Sequence, residues 1–136
     1  MKKSQVQKLY IFTLDKIQKD LGNGITDSDE INDYCRFLPH FRGTHAFDQI
    51  PKLNNYQSCI INLDKSTQSG SHWMALYKYK NKNYLFDSFD RKITTFTKVE
   101  IDKNVTQNPK ELDCGQRSVA FLALVETIGL HDSLKL

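Results

Sequence analysis

The chain has 136 residues, 39% apolar and 26% charged, with six glycines and three prolines. That length suits one hydrophobic core rather than two, and the composition excludes disorder, collagen-like sequence and a coiled coil. The net charge of +3, from 19 basic and 16 acidic residues, is too mild to establish nucleic-acid binding.

A single domain over residues 1–136 is expected. No stretch approaches the roughly 18 apolar residues that would span a bilayer. Met1-Lys2-Lys3-Ser4 is not followed by a signal-type apolar run, because Gln5, Gln7, Lys8, Asp15 and Lys16 intervene. The expectation is a soluble, intracellular protein without membrane association. Cys35, Cys59 and Cys114 cannot all pair with one another and form no C-x-x-C, so neither a disulfide scaffold nor a zinc ribbon is signalled. His40 and His45 lie near Cys35 at a spacing that matches no common metal site, and no metal or other cofactor is expected.

In chain order, Val6, Leu9, Tyr10, Phe12, Leu14, Ile17 and Leu21 recur at helical spacing between Gln5 and Leu21, and Gly22-Asn23-Gly24 ends that helix. Thr26 or Asp27 caps a second, shorter helix reaching about Phe37, with Pro39 beyond it. His40 to Tyr56 reads as irregular. Ser58 to Leu63 reads as a buried strand, followed by a polar loop from Asp64 to Ser71. Trp73 to Tyr79 and Tyr84 to Phe89 read as a hairpin turning over Lys80 to Asn83, and Ile93 to Val99 as a further short strand. Val119, Ala120, Phe121, Leu122, Leu124, Val125 and Ile128 then make a helix apolar on nearly every side, closed by Gly129. Helices first, strands in the middle and a buried helix last predict an α+β fold.

Chemistry centres on Cys114, which opens that buried helix. A thiol at a helix amino end feels the positive end of the dipole and free N–H groups, both of which favour thiolate. Gly115 removes bulk beside the sulfur and allows close approach of a substrate. A hairpin folds the start of its first strand back toward the end of its second, so His72 and Asp87 can meet. Asp87 then engages one imidazole nitrogen and leaves the other for Cys114. Gln107, seven residues before Cys114 and followed by Pro109, offers an amide donor for an oxyanion. Each residue also has a bland reading: a buried thiol, a polar strand end, a solvated glutamine. Cys59, inside an apolar strand, reads as buried and inert.

Taken in order, Gly70-Ser71-His72-Trp73-Met74-Ala75, Tyr84-Leu85-Phe86-Asp87-Ser88-Phe89, and Gln107 with Asp113-Cys114-Gly115 resemble the adenovirus-type cysteine proteases (adenains) and their virophage and Polinton relatives. More distantly they resemble the proteases of ubiquitin-like proteins. Leu38-Pro39-His40-Phe41-Arg42-Gly43-Thr44 is similar to the family's segment upstream of the histidine, and the resemblance runs from about Ile25 to Gly129. It implies a papain-like fold with a central, mostly antiparallel sheet and a buried helix starting at the nucleophile. It implies His72 as general base, Asp87 as the acid that orients it (glutamate in adenovirus enzymes), Cys114 as nucleophile and Gln107 as oxyanion-hole glutamine. Trp73 matches an aromatic beside the histidine, and Trp73 and Gly115 are expected to contact substrate.

The implied function is a monomeric thiol endopeptidase that matures viral capsid precursors at small-residue, glycine-containing sites. Its implied place is the host cytoplasm, nucleus or virus factory, with packaging in the virion left open. Adenovirus enzymes are activated by a viral peptide and by DNA. Cys35 and Cys59 both precede the hairpin and match no peptide-linking cysteine, so activation by peptide or DNA stays open. The chain is also shorter than adenovirus enzymes, chiefly between the hairpin and Gln107 and after the last helix. Two alternatives share these residues: an isopeptidase for ubiquitin-like conjugates, and a non-catalytic, capsid-associated binding module of the same fold.

Overall fold

The computed structural model describes residues 1–64 and 72–136. The polar loop expected after Asp64, and with it Gly70 and Ser71, lies outside the described residues. Helix α1 (Lys3–Leu21) turns Val6, Tyr10, Leu14 and Ile17 inward, the stripe that its apolar spacing predicts. Helix α2 (Ser28–Tyr34) runs on through a 3₁₀ turn, Cys35–Phe37. Its cap is Asp27 and not Thr26. The Asp27 carboxylate accepts from the Glu30 N–H at 2.8 Å, and the Glu30 side chain accepts from the Asp27 N–H at 3.2 Å.

The segment expected to be irregular contains strand β1 (Phe41–Ala46). Periodicity hides it because the strand is bulged: its register against β2 (Ser58–Asn62) slips between Phe41 and Thr44, where Gly43 takes a φ of +84°. The hairpin β3 (Trp73–Tyr79) and β4 (Lys82–Phe86) turns more tightly than expected. Lys80 and Asn81, both at positive φ, make a two-residue turn, and the second strand ends at Phe86. Of the strand expected over Ile93 to Val99, only β5 (Thr97–Lys98) pairs.

The strands lie in the order β1-β2-β3-β4-β5. The sheet is mixed rather than mostly antiparallel: β2–β3 and β3–β4 run antiparallel, whereas β1–β2 and β4–β5 are parallel. Parallel neighbours need a crossover connection, and the segments 47–57 and 87–96 provide it at the two edges. The architecture is α+β, with a five-stranded sheet covered by helices on one face.

Helix α3 (Cys114–Ile128) is buried at every position from Gly115 to Val125. With α1 it covers the sheet face formed by Ile60, Ala75, Tyr77 and Phe86. The Phe86 and Phe121 rings stack at 4.7 Å with planes 7° apart. The other face, Cys59, Ile61, Met74, Leu76 and Leu85, is covered by Leu53, Phe47, Ile50, Ile93 and Phe96 from the connecting segments. Strands buried on both faces read as continuous apolar runs, which is why β2 is legible in the sequence. A short α4 (Leu130–Ser133) follows Gly129. No helix among the described residues is long and apolar enough to cross a membrane.

Phe121, fully buried against Phe86, couples the helix layer to the sheet. Phe121→Ala is expected to cost about 3–5 kcal/mol of stability, measured as a shift of the urea unfolding midpoint at unchanged slope.

Candidate active site

The start of α3, the start of β3 and the segment after β4 meet at one end of the sheet. His72 immediately precedes β3 and Asp87 immediately follows β4. Continuing the register in which Ala75 faces Phe86 puts His72 opposite Phe89, with Asp87 one diagonal step away on the same face of the pleat. His72 Nε2 and Asp87 Oδ1 are 2.6 Å apart, and both residues are buried. Nε2 carries the proton in this contact, because the carboxylate can only accept.

That leaves Nδ1 for Cys114. It is buried and has no hydrogen-bond partner among the described residues, and Cys114 at the start of α3 is close enough that thiol and imidazole act on each other's charge. The thiol is itself held in place, since the Trp73 N–H donates to Cys114 Sγ at 3.3 Å. Cys114 opens α3, at the positive end of its dipole.

Asp87 is gripped from several sides. Its Oδ1 also accepts from the Phe89 N–H at 3.0 Å, and its Oδ2 accepts from Arg91 Nε at 3.2 Å and from the Arg91 N–H at 3.3 Å. The Phe89 ring stacks on His72 with centroids 4.6 Å apart, and the Arg91 guanidinium lies over the same ring at 5.2 Å from its centroid. Phe89 and Arg91 thus pack beside the buried His72–Asp87 bond. Phe89 falls within a sequence motif, but neither it nor Arg91 carries a role there. Both depend on a turn after β4 in which Asp90 takes a positive φ.

The electrostatics follow from these contacts. Burial pushes the Cys114 thiol up, but hydrogen bonding to His72, the Trp73 N–H, the imidazole charge and the Gly115 N–H outweigh it, and its pKa falls below the ordinary thiol value. Burial pulls His72 down, but the bonds to Asp87 and Cys114 outweigh it, and its pKa rises. Burial likewise raises Asp87, and His72, the Phe89 N–H and Arg91 reverse that, leaving it lowered. Asp87 therefore adds stability above the unfolded carboxylate range, and the gain is lost as pH falls through its folded pKa. The shifts at Cys114 and His72 together widen the range in which thiolate and imidazolium coexist. Cys35 and Cys59 are opposite cases, both pushed up to about 12 by burial.

Gln107 lies across the cleft and is buried. Its Nε2 donates to the Glu111 carbonyl at 2.7 Å, a contact that fixes which end of the amide is nitrogen, because a carbonyl only accepts. The Ser88 hydroxyl donates to Oε1 at 2.5 Å, and the Gln107 N–H donates to the Ser88 carbonyl at 2.7 Å. Among the described residues, one Nε2 hydrogen is uncommitted in a residue that lines the cleft. Ser88 is thus the residue that aims the amide, through a contact spanning 19 positions that no local pattern announces.

The cleft holds about 850 Å³ and is walled by Ile25 to Ser28 and Asn32, by Thr44 to Ala46, and by Pro109, Glu111 and Leu112, with His72, Trp73, Gln107 and Cys114 at its base. Trp73 lines it and also donates from Nε1 to the Thr26 carbonyl at 2.9 Å, so the ring is both wall and structural tie. Gly115 has a packing role that the sequence does not announce. A Cβ there would overlap the Thr26 hydroxyl and press on Ile31 and Trp73. Its lack of a side chain serves close packing of α3 on Thr26, Ile31 and Trp73.

No protein-family model matches the chain, and no curated protein matches its sequence.

Thiol reactivity tests this electrostatic arrangement. Iodoacetamide is expected to label Cys114 at pH values below the ordinary thiol range, whereas Cys35 and Cys59 stay unlabelled until the protein is unfolded. In His72→Ala the Cys114 rate profile is expected to move up in pH toward that of a free thiol, because the hydrogen bond and the imidazolium charge are both lost.

Proposed function

We propose that this protein is a cysteine endopeptidase of the adenovirus type, with a papain-like arrangement of Cys114, His72 and Asp87 and an oxyanion site at Gln107. The observation that carries the reading is the buried His72–Asp87 bond beside Cys114, with the thiol at a helix amino end and its pKa lowered chiefly by the imidazole against the effect of burial. A buried but inert cysteine has the opposite electrostatics, as Cys35 and Cys59 show. A binding module has no need of an imidazole whose one nitrogen is locked on a carboxylate while the other is left for a thiol.

In the proposed reaction the Cys114 thiolate attacks the scissile carbonyl carbon, forming an S–C bond and moving the π electrons onto oxygen. Gln107 Nε2 and the free N–H groups at the start of α3 donate to that oxyanion. The C–N bond breaks as His72 Nδ1 gives its proton to the departing amine. Water then attacks the thioester, passing a proton to His72. The S–C bond breaks, the acid leaves and the thiol is restored. Asp87 stays ionised throughout, keeping the imidazole proton on Nε2 and stabilising the imidazolium.

The substrates proposed are viral capsid precursors, cut beside small residues such as glycine. Support for that choice is the ordered resemblance of the His72, Asp87 and Cys114 motifs, together with a cleft of about 850 Å³ lined by His72, Gln107 and Cys114.

Cleavage of a quenched-fluorescence peptide library tests the reading. Cys114→Ala is expected to abolish turnover. Gln107→Ala is expected to lower kcat by about 10²–10³ with KM little changed, because the amide meets the oxyanion only as it forms. Absence of cleavage by wild-type protein with an intact, reactive Cys114 overturns the endopeptidase proposal.

A further inference from the structure

We propose that Arg117 is a positioning residue that registers the Gln107 loop against the helix carrying Cys114, and so sets the oxyanion site without touching it. The inference rests on the functional reading above for the meaning of that site, but not for the geometry.

Arg117 sits one turn into α3 and is almost fully buried. Its three kinds of nitrogen go to three separate acceptors. Nε donates to Asp113 Oδ1 at 3.0 Å, Nη1 to the Val105 carbonyl at 3.2 Å, and Nη2 to Glu111 Oε2 at 3.0 Å. Val105 lies two residues before Gln107, while Glu111 and Asp113 follow it. One guanidinium therefore fastens both ends of the loop that presents the amide.

Glu111 passes the restraint on to Gln107. Its Oε2 takes Arg117, its Oε1 accepts from the Asn108 N–H at 2.8 Å, and its main-chain carbonyl accepts from Gln107 Nε2. Asp113, the residue before Cys114, is held from the other side by Gln18 Nε2 at 2.7 Å on its Oδ2. Tyr10 of α1 packs its phenol within the field of the same guanidinium. The Gln107 loop, the amino end of α3 and α1 thus share one buried cation.

A buried ion pair is a poor device for stability alone, because desolvation offsets most of its attraction and apolar replacements often do as well. What a guanidinium supplies here is direction. Its planar fork holds three acceptors at fixed angles, whereas a lysine ammonium acts as a point charge on a flexible stem. An oxyanion donor displaced by about 1 Å forfeits a large part of its effect.

The test separates oxyanion stabilisation from thiolate formation. p-Nitrophenyl acetate acylates Cys114 through attack at a carbonyl: an S–C bond forms, p-nitrophenolate leaves, and charge passes through an oxyanion. Iodoacetamide alkylates the same sulfur at a saturated carbon, with loss of iodide and no oxyanion. In Arg117→Lys, confirmed folded by its thermal transition, acylation is expected to slow by about tenfold to a hundredfold. Alkylation and its pH profile stay as in wild type, because His72 and Asp87 belong to the other side of the cleft. Glu111→Gln, a change at a half-exposed side chain that keeps the main-chain carbonyl, is expected to show the same split more weakly.

In a Gln107→Ala background, Arg117→Lys is expected to add no further loss, since the group it positions is gone. Equal acylation by folded Arg117→Lys and wild type overturns the proposal. So does a parallel fall in alkylation, which would place the effect on the thiolate, or full additivity with Gln107→Ala. Ester acylation needs no peptide-bond cleavage, so failure of the endopeptidase reading shows separately, as peptides left intact by a wild-type protein that still acylates.

Discussion

The seating of α3 on the start of β3 is the constraint from which the site follows. At this junction the Trp73 N–H donates to the Cys114 sulfur, and the Ser118 hydroxyl donates to the Trp73 carbonyl at 3.2 Å. Gly115 lets the helix close against Thr26 and Trp73 with no side chain between. His72 is the next residue back along the strand, so fixing Trp73 against the helix fixes the imidazole against the thiol. The thiol and imidazole approach because a helix buried along eleven successive positions cannot slide.

Around that junction the polar groups are divided between two supports. The segment after β4 holds Asp87, and with it the tautomer of His72, through Phe89 and Arg91. Gln107 is held by Ser88 from the segment after β4, by Glu111 of its own loop and, through Glu111, by Arg117 of α3. Ser88 connects them: it is the neighbour of Asp87 in the chain and the partner of Gln107 in space. Among the described residues Asp87, Gln107 and Arg117 each have side-chain partners within the fold, as a water-poor site demands. Nδ1 of His72 is among the buried atoms without one, and in the proposed reaction it is the atom that moves the proton.

Apart from Arg117 on α3, both supports lie on irregular backbone, while the thiol and imidazole lie at the ends of regular elements. A helix and a strand buried in one core place Cys114 and His72 rigidly, and connecting segments are free to carry the surrounding donors and walls. The cleft is accordingly built mostly from connections: the approach to α2, the end of β1 and the loop from Gln107 to Leu112.

The helices and the central hairpin were legible in the sequence because their signals are local. The stripe of α1, the unbroken apolar run of α3 and the aromatic-rich strands each bury a face whose spacing is written in consecutive residues. The hairpin argument also brought His72 to Asp87, since antiparallel pairing converts chain separation into contact by a simple rule. Strand β1 was not legible, because its bulge at Gly43 breaks the alternation and its pairing is a parallel edge contact made through a crossover. The mixed character of the sheet stayed hidden for the same reason. Gly115 was read for the cleft, but its packing against Thr26 depends on where α2 comes to rest. Ser88 on Gln107, Arg91 on Asp87 and Arg117 on three points of one loop are set by loop paths. Local sequence singled out Cys114, His72, Asp87 and Gln107 as candidates, and only the tertiary structure decided what holds them, because hydrogen bonds between distant segments leave no period in the chain.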